Sequence, residues 1–163
     1  MNSADIRTLY DYNSWATNRI LDQVAQLTPE QFTSASAESR PSPRYILTHT
    51  LGAEMLWLTR LQTGQSDINV REEHFSGVAS LRQAWETHRR AMNAYIVTLD
   101  DATLQQPFRF ERRGASLEMI LWHTFFQLVN HGTQHRTEVA ALLTDLGHSP
   151  GDLDFFIYTQ SRG

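Results

Sequence analysis

Four stretches of this sequence repeat their apolar residues at spacings of three and four, each over about 20 to 30 residues. A chain that must bury four such stripes at once has few solutions, and four helices packed around one core is the simplest. The first stretch runs from Asp5 to Leu27, with Ser3 as its N-cap. Its stripe is Ile6, Leu9, Tyr10, Ala16, Ile20 and Val24, interrupted by the polar Asn13. TPEQF follows as a short helix of its own, capped by Thr28 with Pro29 in the first helical position. The second long helix starts at Ser42-Pro43, carries Ile46, Leu47, Thr50, Leu51, Glu54, Leu58 and Leu61, and stops at Gly64. The third runs from Val78 to Leu99, with Leu81, Trp85, His88, Met92, Tyr95 and Leu99 on one face. The fourth is the longest, from a cap at Ser116 to Leu146, with Gly147 as its stop. Glu118 or Glu111 complements its N-terminus.

The connections refine this picture. Residues 64–76 are polar and aperiodic, and longer than two neighbouring antiparallel helices need, so a crossover is expected there. Phe108 and Phe110 alternate with Arg109 and Glu111, which predicts a short extended segment or a short strand pair. The tail contains Phe155, Phe156, Ile157 and Tyr158, too apolar a set to be left in water. The expected fold is therefore all-α. It is a four-helix up-down bundle with a long crossover between the second and third helices and a short extended segment before the fourth. One domain spans residues 1–163.

Composition removes several kinds of function. The net charge is −4 and no basic block stands out, so no nucleic-acid partner is expected. There is no cysteine, which excludes disulfides, thiolate ligands and a cysteine nucleophile. No apolar run approaches the roughly 18 residues of a membrane helix, and the N-terminus lacks the pattern of a signal peptide. No membrane partner and a cytoplasmic location are the expectation. Nucleotide loops, serine elbows and paired carboxylates are missing too. The tryptophans, Trp15, Trp57, Trp85 and Trp122, fall one per long helix and read as core packing. Arg112-Arg113 reads as a solvated charge pair.

What remains is histidine. His131 and His135 are four apart in NHGTQHR, so successive helical turns bring both imidazoles to one side. Such a pair is either half of a metal site or two polar residues on a wet face, and spacing alone does not decide. Gly132 stands where a zincin motif would carry its glutamate. A third ligand must come from another helix, and His49, early in the second, is the best placed. His123 lies about 12 Å from His131 along the same helix, too far to join it on one ion, and reads as a core or supporting residue. His88 reads as a flank or core residue; His74 and His148, in loops, read as solvated. Glu138 follows His135 by three and is placed to orient a ligand or to act as a base.

Three segments together resemble the DinB-like (damage-inducible) family of four-helix metal-dependent proteins. They are YDYNSWATNRILDQVAQLTPEQF, ILTHTLGAEMLWLTRL and LVNHGTQHRTEVAALLTDLG. They span nearly the whole chain in the family's order, and the last, with its Asn-His-x-x-x-His-Arg run, is the most specific. The resemblance implies a metal held by His49, His131 and His135, a crossover bundle, and a homodimer. It also implies a metal-dependent transferase that uses a low-molecular-weight thiol such as bacillithiol, mycothiol or glutathione. Two departures stand out: Gln127, where many relatives place a further histidine, and Thr137-Glu138, where many continue with Gly-Gln. Three imidazoles leave a divalent ion an open position, zinc first and nickel second. The expected function is a small-thiol S-transferase acting on an electrophile. Its alternatives are a hydrolase using ion-bound water and a non-catalytic, stress-linked metal-binding protein.

Overall fold

A computed structural model describes residues 1–35 and 41–161. Its elements are α1 (Ser3–Val24), α2 (Pro29–Thr33), α3 (Pro43–Thr63), a 3₁₀ turn (Glu72–His74), α4 (Val78–Ile96) and α5 (Asp101–Leu104). There follow β1 (Pro107–Arg112), β2 (Ala115–Ile120), α6 (Leu121–Asp145) and α7 (Phe155–Gln160). The long helices are α1, α3, α4 and α6, as the periodicity requires.

Local chemistry sets most of their ends. Thr28 and Ser42 cap α2 and α3 as expected, each ahead of a proline. Gly64 closes α3 in the left-handed conformation, φ 74°. The cap of α1 is Asn2 rather than Ser3. Its side chain accepts from the Asp5 N–H at 2.9 Å while the Asp5 carboxylate accepts from the Asn2 N–H at 2.9 Å. That reciprocal pair moves the start one residue upstream of the serine.

The start of the last long helix is a larger correction. Ser116 caps nothing: it lies in β2, and α6 begins only at Leu121. Arg113 (φ 53°) and Gly114 (φ 77°) both adopt the left-handed conformation of a two-residue hairpin turn, so the chain reverses there. β2 then pairs antiparallel with β1, Phe110 opposite Leu117 and Phe108 opposite Met119. Glu118 consequently meets Arg109 across the hairpin at 2.6 Å, and Glu111 lies in β1; neither serves a helix N-terminus. Phe110 is the hairpin's anchor. It is buried, edge-on to Trp57, with the Arg60 guanidinium over both rings.

Two clusters of buried residues show which way each helix runs. One end of the bundle gathers Ile20 and Val24 of α1, Ile46 and Leu47 of α3, Leu81 and Trp85 of α4, and Val139 and Leu143 of α6. The other gathers Ile6 and Tyr10, Leu58 and Leu61, Met92 and Ile96, and Leu121 and Phe125. Hence α1 and α6 run in one direction and α3 and α4 in the other. The parallel pair α3 and α4 forces residues 64–77 to traverse the bundle's length, which is the expected crossover. Val70 of this segment lies on Gly52 of α3, where a Cβ would stand 3.4 Å from it. Glu72 is tied to Arg44 at the start of α3 at 3.2 Å. The tail returns as expected through α7, whose Tyr158 is buried against Tyr12 and Trp15. Among the described residues no helix is long and apolar enough to cross a membrane.

Candidate metal centre

His49 sits on the second turn of α3, and His131 and His135 on successive turns of α6. Packing of α3 against α6 brings the three rings together. Their centroids are 5.4 Å (49–131), 4.8 Å (49–135) and 4.5 Å (131–135) apart. The Nε2 atoms of His131 and His135 are 3.2 Å apart, and one nitrogen from each ring can be chosen so that all three lie within 4.8 Å of one another. Three nitrogens on a tetrahedral zinc would be separated by about 3.3 Å. One pair already meets that spacing. The third ring, His49, is exposed on the open side of the cluster, and with all three donors within 4.8 Å the set fits a divalent ion.

The electrostatics agree with a ligand role. Partial burial, then the neighbouring His135 imidazole, hold His49 below the ordinary histidine range. His131 is lowered by burial, then by His135 and His49. Neutral imidazole is the form that binds metal. Behind His135, Glu138 Oε2 lies 2.8 Å from Nδ1. The carboxylate therefore takes the nitrogen facing away from His131, leaving Nε2 for the cluster.

The remaining histidines divide differently. His123 is exposed and packs edge-on against Trp122, so it is neither core nor support for the site. Eight residues at 3.6 per turn leave it about 80° around the helix from His131. Gln127, one turn before His131, is also exposed, as is His74, whereas His148 is half-buried. His88 is buried, and it belongs to a group the sequence reading overlooked.

That group centres on Glu54, a wholly buried carboxylate. Tyr10 donates its hydroxyl to Oε2 at 2.8 Å, Asn13 donates Nδ2–H to Oε1 at 2.7 Å, and His88 Nε2 is 3.1 Å from Oε2. Asn13 in turn accepts from the buried Arg136 guanidinium. Burial alone would raise the Glu54 carboxyl; the hydrogen bond and charge of His88, then Asn13 and Tyr10, outweigh it and hold it low. The four long helices each contribute to this chain of contacts. Gly132 makes it possible, because a Cβ there would stand 2.7 Å from Arg136 Nη1 and 2.8 Å from Asn13 Oδ1. The signal for it was present in the polar interruptions at Asn13, Glu54 and His88 within otherwise apolar stripes.

A cavity of ≈ 320 Å³ adjoins the histidines on the His49 side, between the start of α3 and the crossover. A larger groove of ≈ 450 Å³ between α3 and α4 touches none of the three.

The DinB family's sequence model matches residues 1–162. The chain belongs to the DinB family. Protein DinB of Bacillus subtilis (strain 168) is similar to it, 24% identical over 157 residues that cover 92% of this chain and 91% of that protein. Two solved structures from Bacillus subtilis share the fold. One is a DinB-like protein, at TM-score 0.67 and 14% identity, covering 89% of this chain and 93% of that one. The other is YfiT, described as a probable metal-dependent hydrolase with an unusual four-helix bundle topology. It matches at TM-score 0.69 and 16% identity, covering 88% of this chain and 89% of its own. The DinB-family bundle thus carries here a histidine triad that could hold a metal.

Proposed function

We propose that the chain is a divalent-metal-dependent enzyme that transfers a small thiol to an electrophile, with His49, His131 and His135 as the metal ligands. The observation that carries this reading is the convergence of three imidazoles, two of them lowered below the ordinary histidine range, beside a cavity large enough for a small molecule. Three nitrogen donors suit zinc first and nickel second. A bound divalent ion would supply a lowered pKa to a coordinated thiol or water.

The chain's own residues supply orientation. Glu138 accepts the Nδ1–H of His135, fixing the tautomer that presents Nε2. This engagement favours an orienting role over that of general base. Among the described residues no carboxylate joins the three donor atoms. A thiol, with an unperturbed pKa of about 8.5, loses its proton with less help than water does. In the transfer the thiol proton passes to solvent and sulfur forms a bond to the electrophilic carbon with its own electron pair. The leaving group departs with the pair of the bond that breaks. With no cysteine in the chain, the thiol is a cosubstrate.

A hydrolase reading is kept because YfiT is described as one. The two separate in one assay on zinc-loaded protein: consumption of glutathione or cysteine with a generic electrophile, against ester hydrolysis. Thiol-dependent turnover supports the transferase. Hydrolysis unaffected by added thiol overturns the transferase and supports the hydrolase. Protein purified without a histidine tag should carry about one zinc or nickel per chain, as a single open site requires. His135→Ala should lose it, and metal analysis that finds the variant equally loaded removes the basis of both readings.

A further inference from the structure

The cavity beside His49 holds features that the metal centre does not use. Thr48 lines it, only 3% exposed, and its hydroxyl is buried with no hydrogen-bond partner among the described residues. Its neighbours on α3 behave otherwise: Thr50, Thr59 and Thr63 each donate to the carbonyl four residues back. A buried hydroxyl left unpaired is costly, and a ligand in the adjoining cavity would supply a partner. The crossover provides the facing wall. Glu72 is already neutralised by Arg44. Arg71 spends only its Nε, on Asn69, and Glu73 has no partner among the described residues. Arg71 and Glu73 therefore bring to the same cavity a cation and an anion that have no ion-pair partner among the described residues. Tyr45, 49% exposed and stacked parallel to the His49 ring, forms the side toward the triad.

We propose that this cavity binds a zwitterionic small molecule through its α-amino acid group, the carboxylate on Arg71, the ammonium on Glu73, and a polar atom on the Thr48 hydroxyl. A singly charged ligand would leave one rim charge unmatched; a zwitterion matches both. The volume, ≈ 320 Å³, lies at the lower end of small-molecule sites and accommodates an amino acid. The proposal deepens the metal-centre reading and rests on it for one point only. It treats the zwitterion as the non-reacting end of the substrate whose reacting atom lies toward His49.

The test uses a probe that cannot form a thiolate, S-methyl-L-cysteine, in NMR titrations of the full chain with and without zinc. Its controls are 3-(methylthio)propionate, which lacks the ammonium, and 2-(methylthio)ethylamine, which lacks the carboxylate. We expect saturable shifts at Thr48 and residues 70–73 with the zwitterion, and binding about tenfold weaker for each control. Arg71→Gln should weaken the zwitterion about tenfold and abolish discrimination against the amine. Glu73→Gln should do the same against the carboxylate. Thr48→Val, which keeps the shape, should weaken the zwitterion several-fold. Equal binding of all three probes, or shifts elsewhere only, overturns the proposal. Zinc uptake is read separately on the same samples. Uptake without discrimination leaves the metal centre standing and removes the pocket reading, whereas discrimination without uptake does the reverse.

Discussion

Gly132 sits between the two histidines of α6 in sequence, roughly 100° around the helix from His131 and 60° from His135. The Arg136–Asn13 bridge occupies the space its side chain would fill. Gly132→Ala should gain about 1 kcal/mol in helix propensity and lose more to the displaced bridge, a net loss of roughly 1–2 kcal/mol. Urea denaturation checks this, and a stabilised variant would show that the bridge has room to move. Glu54 carries a heavier load. Replacing it with Ala strands the Asn13 amide, the Tyr10 hydroxyl and His88 in the interior, at a cost of roughly 3–5 kcal/mol. Its low carboxyl also gives a sign to the acid limb. The unfolded chain takes up the proton near the ordinary value of 4.5, before the folded one does. Stability from this group is therefore complete above that pH and is lost as the pH falls through the lower, folded value. In metal-free protein the lowered His49 and His131 act in the same direction from about 6.5 downward. Melting temperatures between pH 7.5 and 3.5 should fall toward acid, and Glu54→Gln should flatten the part below 4.5.

At the scale of elements, α3 and the crossover depend on each other. Gly52 has only 3.4 Å of clearance beneath Val70, so Gly52→Leu should lift the crossover from α3 and cost roughly 1–3 kcal/mol. Chemical-shift changes at residues 70–73 with the helix otherwise intact would report it. The helices themselves were legible because each carries its own stripe and its own cap. The hairpin was only half legible. Phe108 and Phe110 declared β1, but ASLEMI also fits the opening of a helix, with a serine to cap it. Its pairing is decided by two left-handed residues, Arg113 and Gly114, and arginine does not advertise that conformation.

Across the whole molecule, the parallel α3–α4 pair followed from an aperiodic connection too long for a tight turn. The histidine triad followed from one helix pair, one early histidine and a family likeness. The buried chain through Arg136, Asn13, Glu54 and His88 did not, because a single polar residue in a stripe looks like a flaw until its partners on three other helices are known. One expectation concerns assembly. If the chain forms the homodimer that its family likeness implies, sedimentation should give twice the 18.7 kDa chain mass at micromolar concentration. A monomer under those conditions would refute it.

The last consequence lies in one turn of α6. His135 and Arg136 are adjacent, yet the first looks out toward the histidine cluster and the second hooks inward onto α1. The inward hook closes the bundle without help from the triad. A lineage could therefore exchange the outward ligands, or drop the metal, and keep its architecture. Likeness of shape between two such bundles then says little about whether they share a reaction, and the outward residues are where descendants of one scaffold would part company.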